Sequence, residues 1–155
     1  MAGSSSADVR SCTAMTGPDP ELLAAATEAH AHAYCPYSHY RVGAALRTAS
    51  GAVVASCNVE NAAFPLGTCA EAGAIAAMIA SGAREIVEVV VVTDGDEPGT
   101  PCGGCRQRLR EFAGPSVVVH SLTGAGARWS TTMAELLPRS FGPEFLDSDR
   151  SESEC

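Results

Sequence analysis

The chain has 155 residues, enough for one domain with a sizeable buried core, and 46% of them are hydrophobic. The formal charge is −8, and all ten basic residues are arginine. That balance lacks the basic footprint of a nucleic-acid binder and favours a small, neutral substrate, and no apolar run reaches membrane-spanning length. Aromatic residues are scarce at 5% while alanine is abundant, which suggests close helix packing or a subunit interface. The N-terminus has no apolar signal core, and seven cysteines without framework spacing suit a reducing cytoplasm.

In chain order, residues 1–17 are rich in Ser, Ala and Thr and read as a disordered tail. A single domain is expected over 18–146. Asp19 stands where it can cap a helix whose first position is Pro20. Residues 21–33 read as that helix, with Leu22, Leu23, Ala26, Ala29 and Ala33 as its apolar stripe. His30 and His32 lie late in it. Metal ligation is one reading; the preferred one is placement near the C-terminal dipole or on a solvent-facing edge. Pro36 breaks the helix. Residues 42–47 and 53–59 read as a hairpin around the Ser50-Gly51 turn. Residues 69–81 read as an Ala-rich helix, with Thr68 as N-cap and Ser81-Gly82 as its stop. The stretch 86–93 is apolar almost throughout, so it is expected at the centre of a sheet, covered on both faces. An acidic Gly/Pro loop over 94–100 leads to a helix at 102–112, opened by Pro101. Further strands are expected at 117–120 and 128–131. Thr132-Met133-Ala134-Glu135 fits a capping box for a last helix through Leu137. Residues 147–155 carry Asp147, Asp149, Glu152 and Glu154 and read as a solvated acidic tail. Strands alternating with helices after an initial hairpin predict a mixed sheet between helix layers.

Chemistry concentrates in two stretches. Pro101-Cys102-Gly103-Gly104-Cys105 contains the C-x-x-C spacing that lets two thiolates converge on one ion. The same spacing serves a thioredoxin-like dithiol, and the pair alone does not separate the two. Cys69 can add a third thiolate, and Glu71, two residues on, can face the open position of a metal. No fourth Cys or His stands at knuckle spacing. Three ligands and a vacancy is the catalytic zinc pattern; four is the structural one. A carboxylate beside such a site is what proton-shuttling chemistry requires. Asn58 and Glu60, two apart on an extended segment, face one side. Together they can hold a sugar hydroxyl, or they are a solvated strand end.

From about Leu22 to about Phe145 the chain resembles the small, homotetrameric, zinc-dependent cytidine deaminases. The resemblance is carried by the stretch from Cys35-Pro36-Tyr37-Ser38-His39-Tyr40-Arg41-Val42-Gly43-Ala44, by Asn58-Val59-Glu60-Asn61 through Gly67-Thr68-Cys69-Ala70-Glu71, and by Pro101-Cys102-Gly103-Gly104-Cys105-Arg106-Gln107. It implies a three-layer α/β/α fold with a mixed five-stranded sheet. It implies one Zn²⁺ per subunit, held by Cys69, Cys102 and Cys105, with Glu71 as catalytic base and acid. The implied reaction is hydrolytic deamination of cytidine and 2′-deoxycytidine to the uridines plus ammonia, in cytoplasmic pyrimidine salvage. Asn58 and Glu60 match the pair that binds the ribose 3′-hydroxyl, Tyr40 an aromatic against the pyrimidine, and Ala70 a backbone contact to the base. Phe64 stands at a ribose-contacting position, and Phe141 matches an aromatic that reaches into a neighbouring subunit's site. Without that match, Phe141 reads equally as core or interface packing. The implied assembly is a homotetramer with sites at subunit interfaces, acting on a nucleoside and on neither nucleic acid nor membrane.

Two departures stand out. Ala72 follows Glu71 where many relatives carry an arginine that offsets thiolate charge, so compensation falls to helix dipoles, backbone donors or Arg106. Phe64 replaces a frequent tyrosine, and the lost hydroxyl is worth about 0.5–1.5 kcal/mol of binding. Three rivals remain. They are a blasticidin-S deaminase with the same zinc chemistry, a non-catalytic zinc module, and a dithiol redox protein using Cys102 and Cys105. Asn58-Val59-Glu60-Asn61 favours a ribose over blasticidin.

Overall fold

Asp19 caps the first helix. Its carboxylate accepts hydrogen bonds from the backbone N–H groups of Glu21 (3.0 Å) and Leu22 (3.1 Å). Pro20 fills the first helical position, where a missing N–H costs nothing, and helix α1 runs Pro20–Ala31. This computed structural model describes residues 17–146. The tails expected at either end, Gly17 apart, lie outside the described residues.

Strands β1 (Val42–Thr48) and β2 (Val53–Cys57) form the expected hairpin, and Gly51 supplies its positive φ of 88°. Helix α2 spans Ala70–Ala80, and strand β3 spans Ile86–Thr93. Helix α3 (Gly103–Phe112) hands over directly to strand β4 (Ala113–Thr123). Strand β5 (Arg128–Thr132) is followed by helix α4 (Met133–Leu136), whose capping box between Thr132 and Glu135 is fully formed. Short 3-10 turns at Phe64–Leu66 and Pro143–Phe145 complete the chain.

The five strands order β2-β1-β3-β4-β5. Only β3 and β4 run parallel, joined by the α3 crossover; every other pair is antiparallel. The sheet is therefore mixed, with apolar β3 at its centre. Alternating residues face opposite layers. Ala45, Val90, Val92 and Leu122 pack with Leu22 and Ala26 of α1. Ala44, Leu46, Val89, Val91 and Val119 pack with Ala74 and Met78 of α2, Leu109 of α3 and Met133 of α4. Helices thus cover both faces, as the α/β/α reading requires. A Cβ on Gly43 would stand 2.1 Å from the Ala26 carbonyl oxygen, so glycine is what lets α1 lie directly on β1. Among the described residues no helix is long and apolar enough to cross a membrane.

Several boundaries differ from the sequence reading. α1 ends at Ala31 because His32 caps it, its N–H reaching the carbonyl of Ala29 at 3.0 Å while Ala33 N–H reaches that of His30 at 3.3 Å. β2 stops at Cys57, leaving Asn58 and Glu60 just beyond it. β4 is much longer than 117–120. Ile86 faces Ala113 and Glu88 faces Val118, so Gly114 to Val117 bulge out of the ladder, where Pro115 needs no N–H partner. Thr68 is not the cap of α2; Cys69 holds that position, without a side-chain capping bond. His30 is buried rather than at a solvent edge, with Nε2 3.1 Å from Asp94 Oδ1.

Candidate active site

The two stretches singled out in the sequence converge at the start of α2 and α3. Cys69 is the N-cap of α2, Cys102 the N-cap of α3, and Cys105 lies in the first turn of α3. Their three Sγ atoms lie within 4.8 Å of one another. Cys105 is buried, Cys69 half-buried and Cys102 exposed. Burial pushes the thiols of Cys69 and Cys105 up, Cys105 well above the usual thiol range, with the nearby Glu71 carboxylate adding to both. Cys102 goes the other way, chiefly because the backbone N–H of Cys105 lies near its sulfur, although outside the geometry of a capping hydrogen bond. A coordinating cation deprotonates such thiols outright, and three convergent sulfur donors suit a soft or borderline-soft divalent ion such as zinc. Helix N-termini add partial positive charge, worth about 0.3–1 kcal/mol per nearby anion.

Glu71 sits in the first turn of α2, only 4% exposed. It lines a cavity of about 340 Å³ together with Tyr40, Asn58, Glu60, Cys69, Ala70 and Cys102. The volume suits a small, drug-sized ligand. Val59 and Thr68 exchange two backbone hydrogen bonds of 2.9 Å, which ties the Asn58–Glu60 segment to Cys69.

Asn58 and Glu60 share the cavity wall, but most of their polar capacity is spent inside the protein. Asn58 Oδ1 accepts from Val42 N–H (2.9 Å), and its Nδ2 donates to the Tyr40 carbonyl (2.9 Å). One donor and one acceptor site remain on the carboxamide. Glu60 Oε2 accepts from the backbone N–H groups of Tyr37 (2.9 Å) and Ser38 (3.2 Å), and Oε1 accepts from the Ser38 hydroxyl. The Ser38 hydroxyl and these backbone donors hold the Glu60 carboxyl below its ordinary pKa. A carboxylate has about four acceptor sites, so one stays open to a ligand hydroxyl.

Phe64 and Phe141 do not join this cavity. Phe64 is 76% exposed and lines a neighbouring pocket of about 410 Å³ with Tyr37 and Asn61, which shares Glu60 and Gly67 with the first. Phe141 stacks on Phe145 with ring centroids 5.5 Å apart, and its carbonyl accepts from Gln107 Nε2 at 3.0 Å. Arg106 makes no thiolate hydrogen bond; its guanidinium binds the carbonyls of Pro101 and Leu136 and the Thr100 hydroxyl.

One part of the site has no counterpart in the sequence reading. Asp94, at the end of β3, accepts from Arg41 N–H (2.9 Å), Nε (3.0 Å) and Nη2 (3.0 Å), and its Oδ1 meets His30. Arg41 holds its carboxyl down to about 2. This knot fixes Tyr40 on one cavity wall and the 94–100 loop on the other. A Cβ on Gly99 would stand 2.6 Å from Tyr40 Oη, so the two walls touch there. Arg41 and Asp94 are 53 residues apart, and no local pattern links them.

Residues 17–121 match the family described as the cytidine and deoxycytidylate deaminase zinc-binding region. The chain is similar to a cytidine deaminase of Sporosarcina psychrophila, 39% identical over 126 residues, 81% of this chain and 93% of the relative. A more distant relative is a blasticidin-S deaminase of Bacillus cereus, 31% identical over 77% of this chain and 89% of its own. Among solved structures, a cytidine deaminase from Burkholderia pseudomallei aligns with a TM-score of 0.74 and 40% identity, over 78% of this chain and 97% of that one.

Proposed function

Because the chain belongs to the cytidine and deoxycytidylate deaminase family, we propose that it hydrolyses cytidine to uridine and ammonia, with Glu71 as the proton carrier. The observation that carries this reading is a buried carboxylate, Glu71, sharing one cavity with two of the three clustered cysteines and with Asn58 and Glu60. Cys69, Cys102 and Cys105 hold zinc, which when bound supplies Lewis acidity toward water near neutral pH. Glu71 takes a proton from the attacking water as the C–O bond forms at cytosine C4. It delivers that proton to ring N3. It then takes the remaining proton from the new C4 hydroxyl and passes it to the exocyclic amine, so that the C4 carbonyl forms as the C4–N bond breaks and ammonia leaves. The backbone at Ala70 contacts the base, and Tyr40 packs against it. Asn58 and Glu60 use their remaining hydrogen-bonding sites on the 3′-hydroxyl, which 2′-deoxycytidine also has, so both nucleosides are substrates, in pyrimidine salvage in the cytoplasm.

The working form is a homotetramer in which Phe64 and Phe141 complete sites of neighbouring subunits. Both lie off their own chain's cavity and are exposed, which supports that reading. A dithiol redox role leaves the third clustered sulfur, Cys69, without a purpose. A non-catalytic zinc module calls for a fourth Cys or His, and among the described residues the cluster holds three cysteines.

The test is an absorbance assay of the zinc-loaded protein with cytidine, 2′-deoxycytidine and blasticidin S side by side. Loss of the cytosine absorbance with the first two is expected. Turnover of blasticidin S alone would transfer the protein to that specificity and remove the sugar role of Asn58 and Glu60. Glu71→Gln is expected to keep its zinc by metal analysis and lose on the order of 10²–10⁴-fold in kcat. Wild-type turnover in that variant removes Glu71 from the mechanism.

A further inference from the structure

We propose that Arg106 is the positioning residue of the zinc site, and that loss of its guanidinium fork loosens the metal without touching a ligand. The inference rests on the zinc reading above. The turn that carries Cys102 and Cys105 has little to hold its own shape. Cys102 occupies the N-cap of α3 but makes no side-chain capping bond. The next two residues are Gly103 and Gly104, the most freely rotating backbone the chain can offer. Neither glycine is demanded by crowding. A Cβ on Gly103 would meet nothing within 4 Å, and one on Gly104 would meet only the flexible end of Arg108.

Arg106 supplies the missing restraint from within the first turns of α3. Its backbone N–H bonds the Cys102 carbonyl at 2.9 Å. Its side chain then folds back over the residues before the knuckle. Nε donates to the Pro101 carbonyl at 2.8 Å, and Nη2 donates to the Thr100 hydroxyl at 2.9 Å. Nη1 reaches across to the Leu136 carbonyl at 2.9 Å, at the end of α4. Pro101 is fully buried, so the residue joined to Cys102 is anchored on both its ring and its carbonyl. Three donors in a rigid plane suit this task, and a lysine cannot reproduce them.

The side-chain partners of Arg106 among the described residues are all neutral oxygens. Its positive charge is therefore not cancelled locally. In sequence it stands one residue beyond Cys105.

The experiment measures zinc release from the loaded protein into excess chromophoric chelator, for wild type, Arg106→Gln, Arg106→Lys and Arg110→Gln. Arg110 also ties α3 to the C-terminal segment, through the Ser140 hydroxyl (3.0 Å) and Glu144 Oε1 (2.5 Å), but does not touch residues 100–102. Arg106→Gln is expected to release zinc at least about tenfold faster, Arg106→Lys to fall between it and wild type, and Arg110→Gln to match wild type. Wild-type release from Arg106→Gln overturns the inference while the zinc reading stands. Equal acceleration in Arg110→Gln also overturns it, because the effect is then a general loosening of α3. If Arg106→Gln does not fold, Arg106→Lys decides, and wild-type release there rejects the proposal. A wild-type chain that takes up no zinc removes the underlying reading itself.

Discussion

At the scale of single residues, the polar groups that line the cavity also hold the fold together. Asn58 closes the gap between β2 and the start of β1 by bonding Val42 N–H and the Tyr40 carbonyl. Replacing it with alanine leaves the Val42 N–H without its partner in a part-buried position, at a cost of about 1–3 kcal/mol. Asn58→Ala is therefore expected to lower the thermal midpoint by several degrees as well as to raise KM for cytidine. An unchanged midpoint with raised KM would reduce Asn58 to a ligand contact alone. The sequence makes half of this legible. The two-residue spacing puts Asn58 and Glu60 on one side, and the Cys and Glu motifs put the metal cluster and Glu71 at two helix starts. The partners of Glu60 are not legible, because Ser38 is 22 residues away and is joined to it only through the tertiary fold. His30 shows the same limit. Its place late in α1 is readable, but its partner Asp94 is 64 residues on.

At the scale of elements, a buried polar knot joins the sheet to the start of α1. His120 of β4 is 3% exposed, with Nδ1 2.7 Å from Ser130 Oγ of β5 and Nε2 3.5 Å from Glu88 Oε1 of β3. The same Glu88 oxygen accepts from Asp19 N–H at 2.9 Å, and Asp19 Oδ1 in turn accepts from Arg47 of β1 at 2.6 Å. Burial pulls the His120 pKa below its ordinary value; Glu88 opposes this, and Arg128 of β5 adds to it. The unfolded chain titrates this histidine near ~6.5 and so binds a proton more readily than the fold does. Above that pH both states are neutral and the full stability is present. As pH falls below it, the unfolded state gains a proton that the folded state resists, and stability declines. Unfolding free energy measured from about pH 7.5 to 5 is expected to fall in wild type and to fall less steeply in His120→Gln. Identical slopes would show that His120 does not carry the effect. This knot also marks what the pattern hides. β3 is readable because it is uninterrupted Val and Ile around Glu88. The ends of β4 are not, because Gly114-Pro115 looks like a break and Ser121 and Thr123 look like a loop, although both pair with β3.

At the scale of the whole molecule, the isolated chain leaves large apolar side chains exposed in the segment before α2 and in the C-terminal segment. Leu66 (68% exposed) shares a short 3-10 turn with Phe64, and Phe141 (57%) stacks on Phe145. Clustered exposure of this kind marks contact surfaces. The Phe141 segment is also held rather than loose. Gln107 bonds its backbone and Arg110 bonds Ser140 and Glu144, so the helix that begins at the cysteines also presents this ring. A ring fixed in that manner loses little freedom when a partner covers it. If the proposed homotetramer completes each site with residues of its neighbours, assembly and turnover must fall together. Specific activity measured over a dilution series is expected to decline in step with loss of the tetramer by sedimentation. Phe141→Ala removes apolar burial worth about 1.5–3 kcal/mol, which should shift that decline to roughly 10–100-fold higher concentration. Full activity in a demonstrated monomer would break the link, because the cavity of one chain would then suffice with Phe64 and Phe141 both outside it.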